Sequence, residues 1–190
     1  MRIISGSYGG RKYNGKIPEG IRPTMDNVRE AVFNILSNYI DLENKFVCDI
    51  CAGTGAFGFE ALSRGSRYCL FIDKSKKACE FIKKAAFYFS IPEETYSIIC
   101  GDASSVLNKY KKNPESHTFD LIFLDPPYQS EIYNNIIYSI QKNNLLSDEG
   151  IFIIEHDLSL GFIMADGFTK LSERVYGSTC VTIYKLTSLL

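Results

Sequence analysis

Apolar positions along this chain switch repeatedly between two rhythms. Short apolar runs at residues 46–50, 68–73, 96–100, 119–124 and 150–155 alternate with segments of helical spacing at 56–64, 76–89, 104–110 and 130–142. That alternation predicts βαβ units with right-handed crossovers and a doubly wound, mostly parallel sheet. Several of the runs are apolar at nearly consecutive positions, as expected of strands covered on both faces. Residues 168–176 and 179–186, separated by Gly177-Ser178, predict a closing hairpin. Ahead of the first βα unit, residues 1–5 and 11–13 flank Gly6-Ser7-Tyr8-Gly9-Gly10 and predict a small hairpin. A helix follows at 26–39, capped by Thr24 or Asp26, with Val28, Val32, Ile35, Leu36 and Tyr39 on its packed stripe. Arg29 falls off that stripe, so solvent is its expected environment and a ligand the alternative.

The run at 119–124 continues as Asp125-Pro126-Pro127-Tyr128. Two prolines cannot extend a ladder, so an acid and an aromatic ring stand at the carboxyl end of a central strand. Open α/β sheets bind ligands at that end. The chemistry suits an exocyclic base amine, whose lone pair is delocalised into the ring and makes it a poor nucleophile. The Asp125 side chain and the Pro126 carbonyl provide two acceptors for its two N–H groups, and proline's fixed φ preorganises the carbonyl. Tyr128 would stack on the base, worth roughly 1–3 kcal/mol.

The first strand runs into Asp49-Ile50-Cys51-Ala52-Gly53-Thr54-Gly55-Ala56-Phe57-Gly58, a G-x-G-x-x-G between strand and helix. Alone that motif also fits a nicotinamide or flavin enzyme. Asp73, twenty residues beyond Gly53, suits the two hydroxyls of a ribose. Asp102 follows the third strand and suits an adenine amine, with a helix cap as the plain alternative. Asp49, Asp73, Asp102 and Asp125 therefore belong along one edge of the sheet, and a nicotinamide enzyme has no use for the Asp-Pro-Pro-Tyr end beside them. His156, just beyond the fifth strand, is assigned no role.

The 190 residues, 45% of them hydrophobic, suit one globular domain with a short extension. The net charge of -1 carries no overall nucleic-acid signal, but residues 1–25 hold Arg2, Arg11, Lys12, Lys16 and Arg22 against Glu19. That leaves +4 at this end and -5 elsewhere, which makes it a candidate polyanion contact. With no long apolar run and no signal-like segment, a cytoplasmic location without membrane contact is expected. Cys48-x-x-Cys51 has no second pair to complete a zinc site, so no metal is expected. Cys48, Cys69 and Cys100 are expected to serve as small apolar strand residues.

Arg22-Pro-Thr with residues 28–36, the glycine turn at 49–58, residues 60–65 and the Phe119-to-Tyr128 stretch together resemble the RsmD family. The likeness runs in matching order from Met1 to about Glu155; Cys51, Thr54, Lys84 and Ala85 depart from residues common in the family. The resemblance implies a Rossmann-like class I methyltransferase fold, α/β, with a seven-stranded mostly parallel sheet of order 3-2-1-4-5-7-6 and helices on both faces. It implies S-adenosylmethionine as cofactor and the N2 amine of a guanine in 16S rRNA, conventionally guanine 966, as target. Asp49, Gly53, Gly55, Asp73 and Asp102 would then surround the cofactor, with Asp125, Pro126 and Tyr128 at the base. Residues 1–40 would form an RNA-contacting hairpin and helix extension using Arg2, Arg11, Lys12, Arg22 and Thr24, and residues 41–190 the cofactor-binding domain. The partner would be 16S rRNA or a small-subunit particle, met by a monomer. Methylation of an adenine N6 amine or of a protein glutamine amide, and a non-catalytic rRNA-binding assembly factor, are the competing readings.

Overall fold

The computed structural model describes residues 1–21, 25–110, 117–127, 130–160 and 167–187. Twelve elements matter here: α1 (Asp26–Leu36), β1 (Phe46–Ile50), α2 (Ala56–Ser63), β2 (Tyr68–Asp73), α3 (Lys76–Phe89), β3 (Tyr96–Cys100), α4 (Ala103–Lys109), β4 (Phe119–Leu124), α5 (Ser130–Lys142), β5 (Leu146–Asp157), β6 (Phe168–Tyr176) and β7 (Thr179–Leu186). The strands form one sheet in the order β3-β2-β1-β4-β5-β7-β6. β1 to β5 pair in parallel, and β7 runs antiparallel to both β5 and β6.

Strand residues alternate between two apolar layers. Val47, Cys69, Phe71, Leu121, Phe123, Ile151 and Ile153 meet α1, α2 and α3 on one face. Cys48, Ile50, Leu70, Ile72, Ile122, Leu124, Phe152 and Ile154 meet α4 and α5 on the other. This two-sided cover is why the strand runs are continuously apolar. At the centre of the first layer, Phe57 of α2 stacks on Phe123 of β4 with ring centroids 3.8 Å apart.

The N-terminal residues join the same core. Ile3, Val28, Val32, Phe33 and Leu36 are buried in the layer that holds Val47 and Phe71. Arg2 bridges Lys12 antiparallel, and Ile3 N–H donates to Arg11 O at 3.0 Å, giving the expected hairpin. α1 ends at Leu36 rather than running to 39, and the buried stripe includes Phe33 while Tyr39 is 40% exposed. Met25 occupies the cap position without a side-chain cap and Asp26 is the first helical residue, so Asp26 is not the cap; Thr24 lies outside the described residues.

Two further expectations are corrected. β5 begins at Leu146, four residues before Gly150, because Leu146 pairs with Phe119 across a bulge and the polar Ser147-Asp148-Glu149 segment reads as loop. Cys48 and Cys69 are core residues, whereas Cys100 is exposed on the outer strand β3.

Candidate active site

β1 ends where Cys51 enters the left-handed region at φ 61°, followed by Gly53 at 55° and Gly55 at 72°. This turn swings the chain off the sheet and starts α2. It opens a cleft of about 590 Å³ at the carboxyl ends of β1, β2 and β4, a size ordinary for a small-molecule site. Asp49, Gly53, Asp73, Asp102, Asp125 and Pro126 all line it. Gly55 does not. It sits one layer beneath, where a Cβ would come within 3.1 Å of Ile82 and of Phe59. Tyr128, Arg22 and Thr24 lie outside the described residues.

The four acids differ in what holds them. Asp49 is 1% exposed and accepts from Gly58 N–H at 3.0 Å. Burial raises its carboxyl from the ordinary range to about 8; the Gly58 hydrogen bond opposes this and the nearby Asp73 charge adds to it. Asp73 accepts from Gly53 N–H at 2.8 Å through one oxygen and from Ser75 N–H at 2.8 Å through the other. Each carboxylate oxygen can take a second donor, so a fixed Asp73 retains acceptor capacity for a diol. Asp102 caps α4 through Ser105 N–H at 2.9 Å, and it also lines the cleft, so the cap and the ligand-facing position coexist. Asp125 is half-buried, and its N–H donates to Ile50 O at 3.3 Å, which extends the β4 register one residue past the strand.

Cys51 registers the resulting field. Its thiol is pushed up to about 12, first by burial and then by the charges of Asp73, Asp125 and Asp49, with Lys74 opposing. A cleft whose rim is this acidic suits a ligand carrying positive charge and hydroxyl or amine donors.

Several cleft residues had no signal in the sequence. Glu19, Gly20, Ile21 and Met25 come from the N-terminal segment, while Glu155 and Thr179 come from β5 and β7. They belong to no motif, and only the fold brings them there. His156 is buried against β7 instead, with Nδ1 3.0 Å from Asp157 O and Nε2 3.3 Å from Thr182 Oγ1.

Arg29, expected in solvent or against a ligand, is neither. It is 2% exposed, donates to Arg2 O at 2.6 Å and to Asp26 at 2.9 Å, and lies 3.9 Å from Glu60. Glu60, fully buried in α2, accepts from Ile4 N–H at 2.7 Å, Ser5 N–H at 3.0 Å and Arg64 Nε at 2.9 Å. An acid inside the otherwise apolar Ala56–Ser63 helix was the available hint. The cluster fastens the N-terminal hairpin to the helix that begins at the glycine turn.

Among solved structures, yhhF from Escherichia coli superposes with a TM-score of 0.84 at 27% identity, covering 98% of this chain and 97% of that one. SMU.776, complexed with SAH, shares the fold at 19% identity and a TM-score of 0.66, covering 83% of this chain and 49% of that one. Sheet order, glycine turn and acid-rimmed cleft place the chain in the class of Rossmann-like methyltransferases. Residues 1–185 match the family described as Conserved hypothetical protein 95. Ribosomal RNA small subunit methyltransferase D of Haemophilus influenzae is 31% identical over 185 residues, covering 97% of this chain and 93% of that protein. YlbH of Bacillus subtilis (strain 168) is 33% identical over 186 residues, covering 97% and 98%. The chain belongs to this family, the RsmD family of methyltransferases.

Proposed function

We propose that the protein methylates the exocyclic N2 amine of a guanine in 16S rRNA, at the position conventionally called guanine 966, using S-adenosylmethionine. Methyl transfer from S-adenosylmethionine to ribosomal RNA is the activity that its family membership supports. The choice of guanine N2 rests on the resemblance to the RsmD family and on the suitability of the Asp125-Pro126 end for an amine. The observation that carries the reading is that Asp125 and Pro126 line the same cleft as Asp49, Gly53, Asp73 and Asp102.

The cleft fits the cofactor by its donor and acceptor chemistry. Asp73, pinned by two backbone N–H groups, would take the ribose hydroxyls; Asp102 would take the adenine amine; the Gly53 turn lets backbone approach closely. Bound there, S-adenosylmethionine supplies an electrophilic methyl group. The protein's own residues act on the acceptor. The Asp125 carboxylate and the Pro126 carbonyl take the two amine N–H groups, which lets the nitrogen rehybridise and frees its lone pair. Asp125 or a water takes the proton once the new C–N bond has made it acidic. Tyr128 would stack on the base, and the guanine must be unpaired or flipped to enter.

Incubation with methyl-labelled S-adenosylmethionine and unmodified 30S particles, followed by mapping of the labelled nucleotide, tests the reading. Label on one guanine N2 of 16S rRNA is expected. Label on an adenine N6 amine would replace the substrate, and absence of label from rRNA would refute the reading.

A further inference from the structure

The end of α3 farthest from the cleft carries a surface that methyl transfer does not use. Phe87 is 87% exposed and Tyr88 57%, side by side in the last turn. Both belong to the outward face of a helix whose other outward residues are Lys76, Lys77, Glu80, Lys83 and Lys84. The inward residues, Phe81, Ile82, Ala85 and Phe89, fill the core, so the two exposed aromatics are not a shifted packing stripe.

The N-terminal hairpin builds onto the same spot. The Tyr13 ring lies 5.2 Å from the Tyr88 ring and 5.2 Å from Phe81. Arg11 donates to Phe89 O at 2.7 Å, and its guanidinium sits 5.1 Å from the Tyr8 ring centre. Flat aromatic faces and one held cation, Arg11, thus share one patch, with the exposed Lys83 and Lys84 one turn back. α3 starts at Lys76, just after the cleft-lining Ser75, and its 14 residues span about 21 Å. The patch is therefore too far away to touch a nucleotide held in the cleft.

We propose that this surface binds unpaired RNA flanking the target guanine, with bases stacking on Phe87 and Tyr88 and phosphates meeting Lys83, Lys84 and Arg11. The inference rests on the rRNA reading above and adds a second, outlying contact to it. Unpaired strands are held by aromatic platforms along a positive groove. An apolar protein partner would leave the lysines one turn back without a use, and charge complementarity favours the polyanion.

The test measures binding to and methylation of unmodified 30S particles by the full-length protein and its Phe87→Ala, Phe87→Trp, Tyr88→Phe and Lys83→Ala/Lys84→Ala forms. Phe87→Ala is expected to weaken RNA binding about 5- to 150-fold, the range for one stacked base, and to raise KM for RNA. Phe87→Trp and Tyr88→Phe, which keep a ring, are expected to hold affinity near wild type. The double lysine variant is expected to flatten the slope of log affinity against log salt by about 1.4, whereas Phe87→Ala leaves that slope in place. Calorimetric cofactor affinity is expected to hold for all four. If wild type methylates rRNA while Phe87→Ala binds it equally well, this inference is overturned and the methyltransferase reading stands. If wild type neither binds these particles nor methylates their rRNA, both fall. If light scattering shows a wild-type dimer that Phe87→Ala dissociates without loss of RNA affinity, the surface is a self-association face and the inference is overturned.

Discussion

Asp49 is a titrating group inside the core, and its position sets a pH signature. Its folded carboxyl sits at about 8 against an ordinary value of 3.8, so the native state holds a proton that the unfolded chain releases. Its contribution to stability is fully present below about pH 4 and is lost as pH rises through about 8, with a slope of up to about 1.4 kcal/mol per pH unit. Asp49→Asn should remove that slope. Urea midpoints between pH 4 and 8 check it, and parallel curves for the two proteins would contradict the assignment. Gly58, whose N–H holds Asp49, also has no room for a side chain. A Cβ there would come 2.3 Å from Phe71 and 2.6 Å from the Cys69 sulfur. Gly58→Ala should therefore cost about 1–3 kcal/mol by overpacking, measured as a lowered thermal midpoint; an unshifted midpoint would mean the helix slides freely on β2.

At the scale of elements, hydrophobic period carried most of the description, because strands covered on both faces and helices covered on one leave different patterns. β1, β2, β3, α3 and α5 stand where their periods put them. What escaped has a common physical origin in long-range polar contacts. Arg29 was expected in solvent or at a ligand, but the hydrogen bond it donates to Arg2 O, and those Glu60 accepts from the hairpin, hold both charges inside. The β5 bulge was hidden because a strand may carry polar residues where it leaves the ladder. Asp102 had two competing readings, and the cap it forms leaves it on the cleft wall. The clasp yields its own prediction. Glu60→Ala leaves Arg29 buried without its full set of partners and frees two hairpin N–H groups, so a loss of about 3–5 kcal/mol is expected. Hydrogen exchange should report it first at Ile4 and Ser5; protection unchanged at both amides would contradict the clasp.

For the molecule as a whole, the sheet's edge was legible because strand ends follow from strand runs, and a row of acids at successive ends can only gather there. The cleft's other walls were not legible, since Glu19–Ile21, Glu155 and Thr179 reach it through packing rather than through any motif. Ile3 and the α1 residues Val28, Val32, Phe33 and Leu36 share the main apolar layer with the sheet, while Glu19, Gly20, Ile21, Met25 and Val28 form part of the cleft wall, so cleft and hairpin are built on one body. Under the proposed function, one part of the cleft would hold the cofactor and the tip of β4 would handle the amine, and the two tasks should separate by mutation. The most direct measurement is Asp125→Ala, followed in parallel by calorimetry with S-adenosylmethionine and by methyl transfer to unmodified 30S particles. Near-normal cofactor affinity with turnover lowered by about 10²–10³, the scale for losing one preorganised polar group, is the predicted result. Turnover at the wild-type rate would contradict the assignment of Asp125 to the amine.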